Sequence, residues 1–96
     1  MFSKLNAYAA RNSDGWAVQR TTRYDLEYRE GTRVATVQVE PGTDAAGEPY
    51  LAVELSAAIL WRTPGGQTTA LPAERQLIST RVVDALKFLG LRFVLE

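Results

Sequence analysis

Trp61-Arg62-Thr63-Pro64-Gly65-Gly66, then Leu71-Pro72-Ala73-Glu74-Arg75-Gln76-Leu77-Ile78, then Leu89-Gly90-Leu91-Arg92-Phe93-Val94-Leu95-Glu96 punctuate the last third of the chain, and their reading decides the fold. In order they predict a loop, one helix over residues 72–89, a glycine stop and a terminal strand. Pro72 suits a first helical turn, where its missing N–H costs nothing, and Gly90 suits the left-handed residue just past a helix end. Ile78, Val82, Ala85 and Leu89 recur at helical spacing and make one apolar stripe, with Leu86 beside it. Gln76, Thr80 and Lys87 fall opposite. Glu74 in the first turn and Lys87 in the last both suit the helix dipole. Leu71, at the N-cap position, offers no side-chain oxygen. After Gly90, the residues Leu91, Phe93 and Leu95 alternate with Arg92, Val94 and Glu96, as a strand does.

Upstream, period-2 patterning dominates. Tyr24, Leu26 and Tyr28 alternate with Asp25, Glu27 and Arg29; Glu30-Gly31-Thr32 is a tight turn; Val37 and Val39 then alternate with polar residues from Arg33 to Glu40. The two runs predict an antiparallel hairpin. Trp16 to Arg20 reads as a further short strand. Pro41 to Pro49 has the composition of a loop, and Leu51, Val53 and Leu55 mark another strand whose alternation breaks at Ala57-Ala58-Ile59-Leu60-Trp61. Residues 3–11 have Leu5, Tyr8 and Ala9 at helical spacing behind a capping Ser3, which predicts a short helix; a hairpin arm closed by Asp14-Gly15 is the competing reading. The expected class is α+β: an antiparallel sheet of four to five strands with one long C-terminal helix on one face, then a short terminal strand.

Composition narrows the function. The chain has 96 residues, 46% apolar and 23% charged, which predicts a single globular domain. A domain of this size buries only ~60–65% of its unfolded surface, so its stability is modest. There is no cysteine and no histidine, which removes thiol chemistry, the commonest general base and the commonest zinc ligand together. No cofactor or metal is expected. Eleven basic and eleven acidic side chains give zero formal charge, which argues against nucleic-acid binding, since that affinity comes mostly from neutralised phosphates. The charge is unevenly spread: residues 34–60 carry Glu40, Asp44, Glu48 and Glu54 and no basic residue. That segment is either a solvated loop and strand face or an acidic docking surface. No apolar run approaches ~18 residues and the start lacks the apolar stretch of a signal peptide, so a soluble cytoplasmic protein without membrane contact is expected.

Catalytic constellations are missing from the residues. Any serine nucleophile among Ser3, Ser13, Ser56 and Ser79 would need Lys4 or Lys87 as base. Asp25 and Glu27 share a strand face and could hold a metal or act as an acid/base pair, but a solvated face with Arg29 as neighbour explains them as well. Pro64-Gly65-Gly66 lacks the Gly-Lys-Ser/Thr ending of a phosphate loop. A non-enzymatic protein is the expectation. Leu77, Arg81 and Phe88 share one shoulder of the helix, which either widens the core contact or forms a protein-binding or self-association edge. Trp61, beside Arg62, either plugs the end of the core or serves as an exposed aromatic anchor.

Trp61-x-x-Pro64, then Leu71-Pro72-Ala73-Glu74-Arg75-Gln76-x-Ile78, then Ala85-Leu86-x-Phe88-x-Gly90 before a terminal strand, resembles a family of small bacterial immunity proteins from polymorphic toxin systems. The hairpin from Tyr24 to Glu40 fits the front half of that family, and the likeness covers about residues 20–96. The resemblance implies a protein that binds and neutralises a cognate toxin domain. It carries no contact residue to a numbered position here. The candidate partner-binding residues are therefore those singled out by charge and position: Glu40, Asp44, Glu48 and Glu54, with Trp61, Arg62, Leu77, Arg81 and Phe88. Two alternatives stay open: a small dimeric single-strand nucleic-acid binder, which shares the layout of four strands followed by a helix, and a dimeric accessory domain.

Overall fold

The computed structural model describes every residue except Ala57. It contains β1 (Phe2–Asn6), β2 (Ala9–Asn12), β3 (Trp16–Thr22), β4 (Asp25–Glu30), β5 (Arg33–Thr43), β6 (Pro49–Val53), β7 (Leu60–Thr63), β8 (Gly66–Thr69), α1 (Pro72–Phe88) and β9 (Phe93–Leu95). The strands form one sheet in the order β1-β2-β3-β4-β5-β6-β9, with β7 on β5 and β8 on β7. All pairings are antiparallel except β6–β9, which is parallel. No helix among the described residues is long and apolar enough to cross a membrane.

The expected class of four to five antiparallel strands with one long helix is thus corrected. The described residues are 52% strand and 18% helix, in a mixed, curled sheet with a single helix of 17 residues. Three local causes account for the added strand content: two create extra strands and one lengthens an expected strand. Residues 3–11 are not a helix: Asn6 Oδ1 accepts the Tyr8 N–H at 2.8 Å, turning the chain between β1 and β2. The helical spacing of Leu5, Tyr8 and Ala9 loses to the burial of Ala9 and Ala10 in the sheet. The loop read at Trp61–Gly66 is a hairpin. Thr63 Oγ1 accepts the Gly65 N–H at 3.2 Å and donates to Gly66 O at 3.1 Å, and Gly66 has φ 126°, a value closed to most side chains.

The third cause lies in β5, which runs through Pro41 and Gly42 instead of becoming a loop. Val39 N–H donates to Tyr24 O at 2.9 Å, so Pro41, two residues on, directs its N–H side past the start of β4 and forfeits no ladder bond. Gly42 is needed for a different reason. A Cβ there would lie 2.6 Å from Tyr50 Cζ, so glycine lets that ring rest on the backbone. The expected strand break from Ala57 onward begins outside the described residues; Ala58 and Ile59 lead into β7.

Strand β5 organises the sheet. Its first half pairs with β4 on one edge and, at Val34 and Ala35, with β7 on the other; its second half pairs with β6. Helix α1 crosses the strands. Glu74 reaches Arg33 of β5, Arg81 reaches Glu30 of β4 and the Trp16 ring of β3, and Phe88 stacks on Phe2 of β1. Between these contacts the helix buries Ile78, Val82, Ala85 and Leu86 against Val18, Leu26, Val37 and Val53, with Phe93 packed at the margin. Leu89 is also buried. The helix ends in a Schellman arrangement: Gly90, at φ 71°, donates to Lys87 O and Leu91 N–H to Leu86 O, both at 3.1 Å. The chain then lays β9 beside β6, so the sheet wraps the helix and its β1–β3 flank faces the β6–β9 flank.

Candidate functional site

Apart from Asp44, the titratable side chains with displaced pKa values converge where α1 crosses β4 and β5. Arg81 donates to Tyr28 Oη and Glu30 Oε2, both at 2.7 Å, and Tyr28 in turn donates to Glu30 Oε2 at 2.8 Å. Arg33 bridges Glu30 Oε1 at 2.8 Å and Glu74 Oε2 at 2.9 Å, with its guanidinium 4.1 Å from the Trp61 ring centroid. Glu74 Oε1 accepts the Leu71 N–H at 2.9 Å, supplying the half of a capping box that leucine cannot reciprocate.

These contacts explain the electrostatics. The Tyr28 hydroxyl holds the Glu30 carboxyl below its usual value, helped by Arg33 and Arg81 and opposed by burial. Burial pushes Tyr28 up. The Leu71 N–H and then Arg33 hold Glu74 down. Among the described residues the buried Trp61 indole N–H has no hydrogen-bond partner of normal geometry, although it lies close enough to Glu74 to add to that lowering. A carboxylate saturated with arginine donors and lowered in pKa is a poor general base. The cluster ties the helix to the sheet.

This placement settles where the C-terminal candidates sit. Trp61 is 3% exposed and plugs the core; it is not an exposed anchor. Arg81 belongs to the ion cluster. Phe88 and Leu77 are each nearly half exposed, but the Phe88 ring already stacks on Phe2 with centroids 5.0 Å apart. Arg62 lies on the outer sheet face, 3.7 Å from Glu27, which also pairs with Arg29 at 2.7 Å. Asp25 accepts from the Thr22 hydroxyl at 2.8 Å, so Asp25 and Glu27 are each engaged with neighbours. Among the described residues no group of three His, Cys, Asp or Glu is arranged to hold a metal.

The four acidic candidates separate into two pairs. Asp44 is a turn residue: it accepts the Ala46 and Glu48 N–H groups at 2.8 and 3.0 Å and pairs with Arg92 at 2.7 Å. Arg92 is the main reason its carboxyl sits below the usual range. Glu48 shares that hairpin tip. Glu40 and Glu54 instead lie on the outer face, where the pairing of β4, β5 and β6 aligns Asp25, Gln38, Glu40 and Ala52. Glu54 accepts from the Ser56 N–H at 3.0 Å and from the Ser56 hydroxyl.

Asp25, Glu40, Glu54 and Glu96 line one groove of about 410 Å³ together with Tyr24, and among the described residues no basic side chain lines it. Charge along the chain singles out Glu40 and Glu54 but does not show Asp25, Glu96 and Tyr24 to be their neighbours. Only Asp25 had a usable signal, as a polar residue on the wet face of an alternating strand. Glu96 reaches the groove through the parallel pairing of β9 with β6, for which a short terminal strand gives no partner information. No family model, curated protein or solved structure matches this chain, so the resemblance to immunity proteins stands on the residues that carry it.

Proposed function

We propose that this chain is a cytoplasmic, non-enzymatic protein of the immunity type, which neutralises a cognate toxin domain by docking its acidic outer groove onto a basic surface. The observation that carries this reading is the groove holding Asp25, Glu40, Glu54 and Glu96 beside the exposed Tyr24. Four carboxylates concentrated on one concave surface attract a basic partner and speed encounter, while a half-exposed aromatic ring supplies contact area. The same groove repels phosphates, which disfavours the single-strand nucleic-acid alternative.

The test is binding to, and protection against, a toxin domain encoded by a neighbouring gene. Glu40→Lys with Glu54→Lys reverses the groove, whereas Glu48→Lys alters only the exposed hairpin tip. The groove variant is expected to slow association by about 10- to 100-fold at low salt and to lose protection, with the tip variant close to wild type. Unchanged binding by the groove variant would exclude this surface; failure of the wild-type protein to bind or protect would overturn the immunity reading itself.

A further inference from the structure

Between Tyr8 and Arg20 on one flank of the curled sheet and residues of β5, β6 and the turn after α1 on the other lies a cleft of about 310 Å³. One wall is Tyr8, from the β1–β2 turn, with Arg20 of β3. The other is Tyr50 on the Gly42 backbone, with Leu91 and Arg92 beyond. Its volume falls in the range of small-molecule sites, and its make-up is theirs too: flat apolar walls and a few convergent polar groups.

The charge on Arg20 is unanswered. Its Nη2 donates to Arg23 O at 2.8 Å and its guanidinium lies 5.6 Å from the Tyr8 ring centroid, yet among the described residues it makes no ion pair, and its Nε–H is buried with no acceptor. A buried donor on a charged group is costly to leave unmade. Arg92, across the cleft, is already neutralised by Asp44 at 2.7 Å. The carboxylate among the lining residues, Glu48, sits exposed at the hairpin tip. The cleft therefore presents one cation without a counter-charge, beside two tyrosine rings and proline and leucine walls.

We propose that this cleft binds a small aromatic carboxylate, with the carboxyl group on the Arg20 fork and the ring between Tyr8 and Tyr50. The planar guanidinium offers a fork of donors that takes both carboxylate oxygens. The site is separate from the acidic groove and does not depend on the immunity reading.

The experiment is a titration of the ¹⁵N-labelled protein with benzoate and indole-3-acetate, with acetate and benzamide as controls. At least one aromatic acid is expected to shift the Gly42, Leu51, Gly90 and Leu91 amides saturably, with half-saturation on the order of 1 mM, as befits so small a ligand. Acetate lacks the ring and benzamide the charge; each should bind at least about tenfold more weakly. Arg20→Gln should abolish the shifts while leaving the rest of the spectrum unchanged, and Arg20→Lys should restore part of them. Absence of saturation by both acids, equal binding of benzamide or acetate, or shifts that survive Arg20→Gln would each overturn the proposal.

Discussion

Replacing Arg81 by methionine tests whether the ion cluster fastens the helix to the sheet. Methionine keeps the apolar stem over Trp16 and removes only the guanidinium. Two hydrogen bonds of 2.7 Å, to Tyr28 Oη and Glu30 Oε2, disappear with it. Charge-assisted bonds contribute ~1.5–3 kcal/mol when well buried. The Arg81 and Glu30 side chains remain 24% and 31% exposed, so a combined value nearer ~1–1.5 kcal/mol is appropriate. The cation 5.1 Å from the Trp16 ring centroid adds ~0.5–1 kcal/mol. Nothing is orphaned, because Tyr28 still donates to Glu30 and Arg33 still holds Glu30 Oε1. The expected loss is therefore about 2 kcal/mol, a large share of the ~5–14 kcal/mol typical of a domain this size, and a fall in Tm of roughly 10 °C. Urea unfolding followed by tryptophan fluorescence measures it directly. A double-mutant cycle with Glu30→Gln should return a coupling of about 1 kcal/mol. A loss under about 0.5 kcal/mol, or a coupling of zero, would show that the contact is formed but contributes nothing, as many surface ion pairs do.

Two further outcomes follow from the packing and the charges. Leu86→Ala, at a site with 0% exposure, should cost ~2–5 kcal/mol in the same urea assay; a loss below that range would mean the helix does not seal the sheet face. Because the Glu30 carboxyl is held below its ordinary value of 4.5, its stabilising contribution is present above that value and is lost as pH falls through the lowered one. Acid titration of Arg81→Met should accordingly show a shallower loss of stability below about pH 4.5 than wild type, and identical acid limbs would detach Glu30 from the effect.

The strands that alternate over several residues, β4 and the first half of β5, were legible because one wet and one dry face leave a period of two in the residue types. Helix α1 was legible for a similar reason, with Pro72 and Gly90 marking its ends. The short strands β1, β2, β7 and β8 left no such record. Alanine at Ala9 and Ala10 reads as helical composition although both are buried in a sheet, and Gly66-Gln67-Thr68-Thr69 is exposed throughout, so no face selects its residues. Their strand state comes from a neighbour's backbone, which a pattern of side chains does not encode.

The candidate site divides along the same line. Sequence alone determined the absence of histidine and cysteine, the acidic bias of residues 34–60 and the apolar stripe of the helix. Tertiary structure decided which of those charges meet. It drew Arg81 into a cluster with Glu30, 51 residues away, and split the acidic residues between a groove and a hairpin tip. It also left Arg20 beside Tyr8 with no ion pair among the described residues. The physical reason is range: patterning reports what each residue does over one or two turns of backbone, whereas an ion pair or a cleft depends on strand register and sheet curl, set by the whole chain at once.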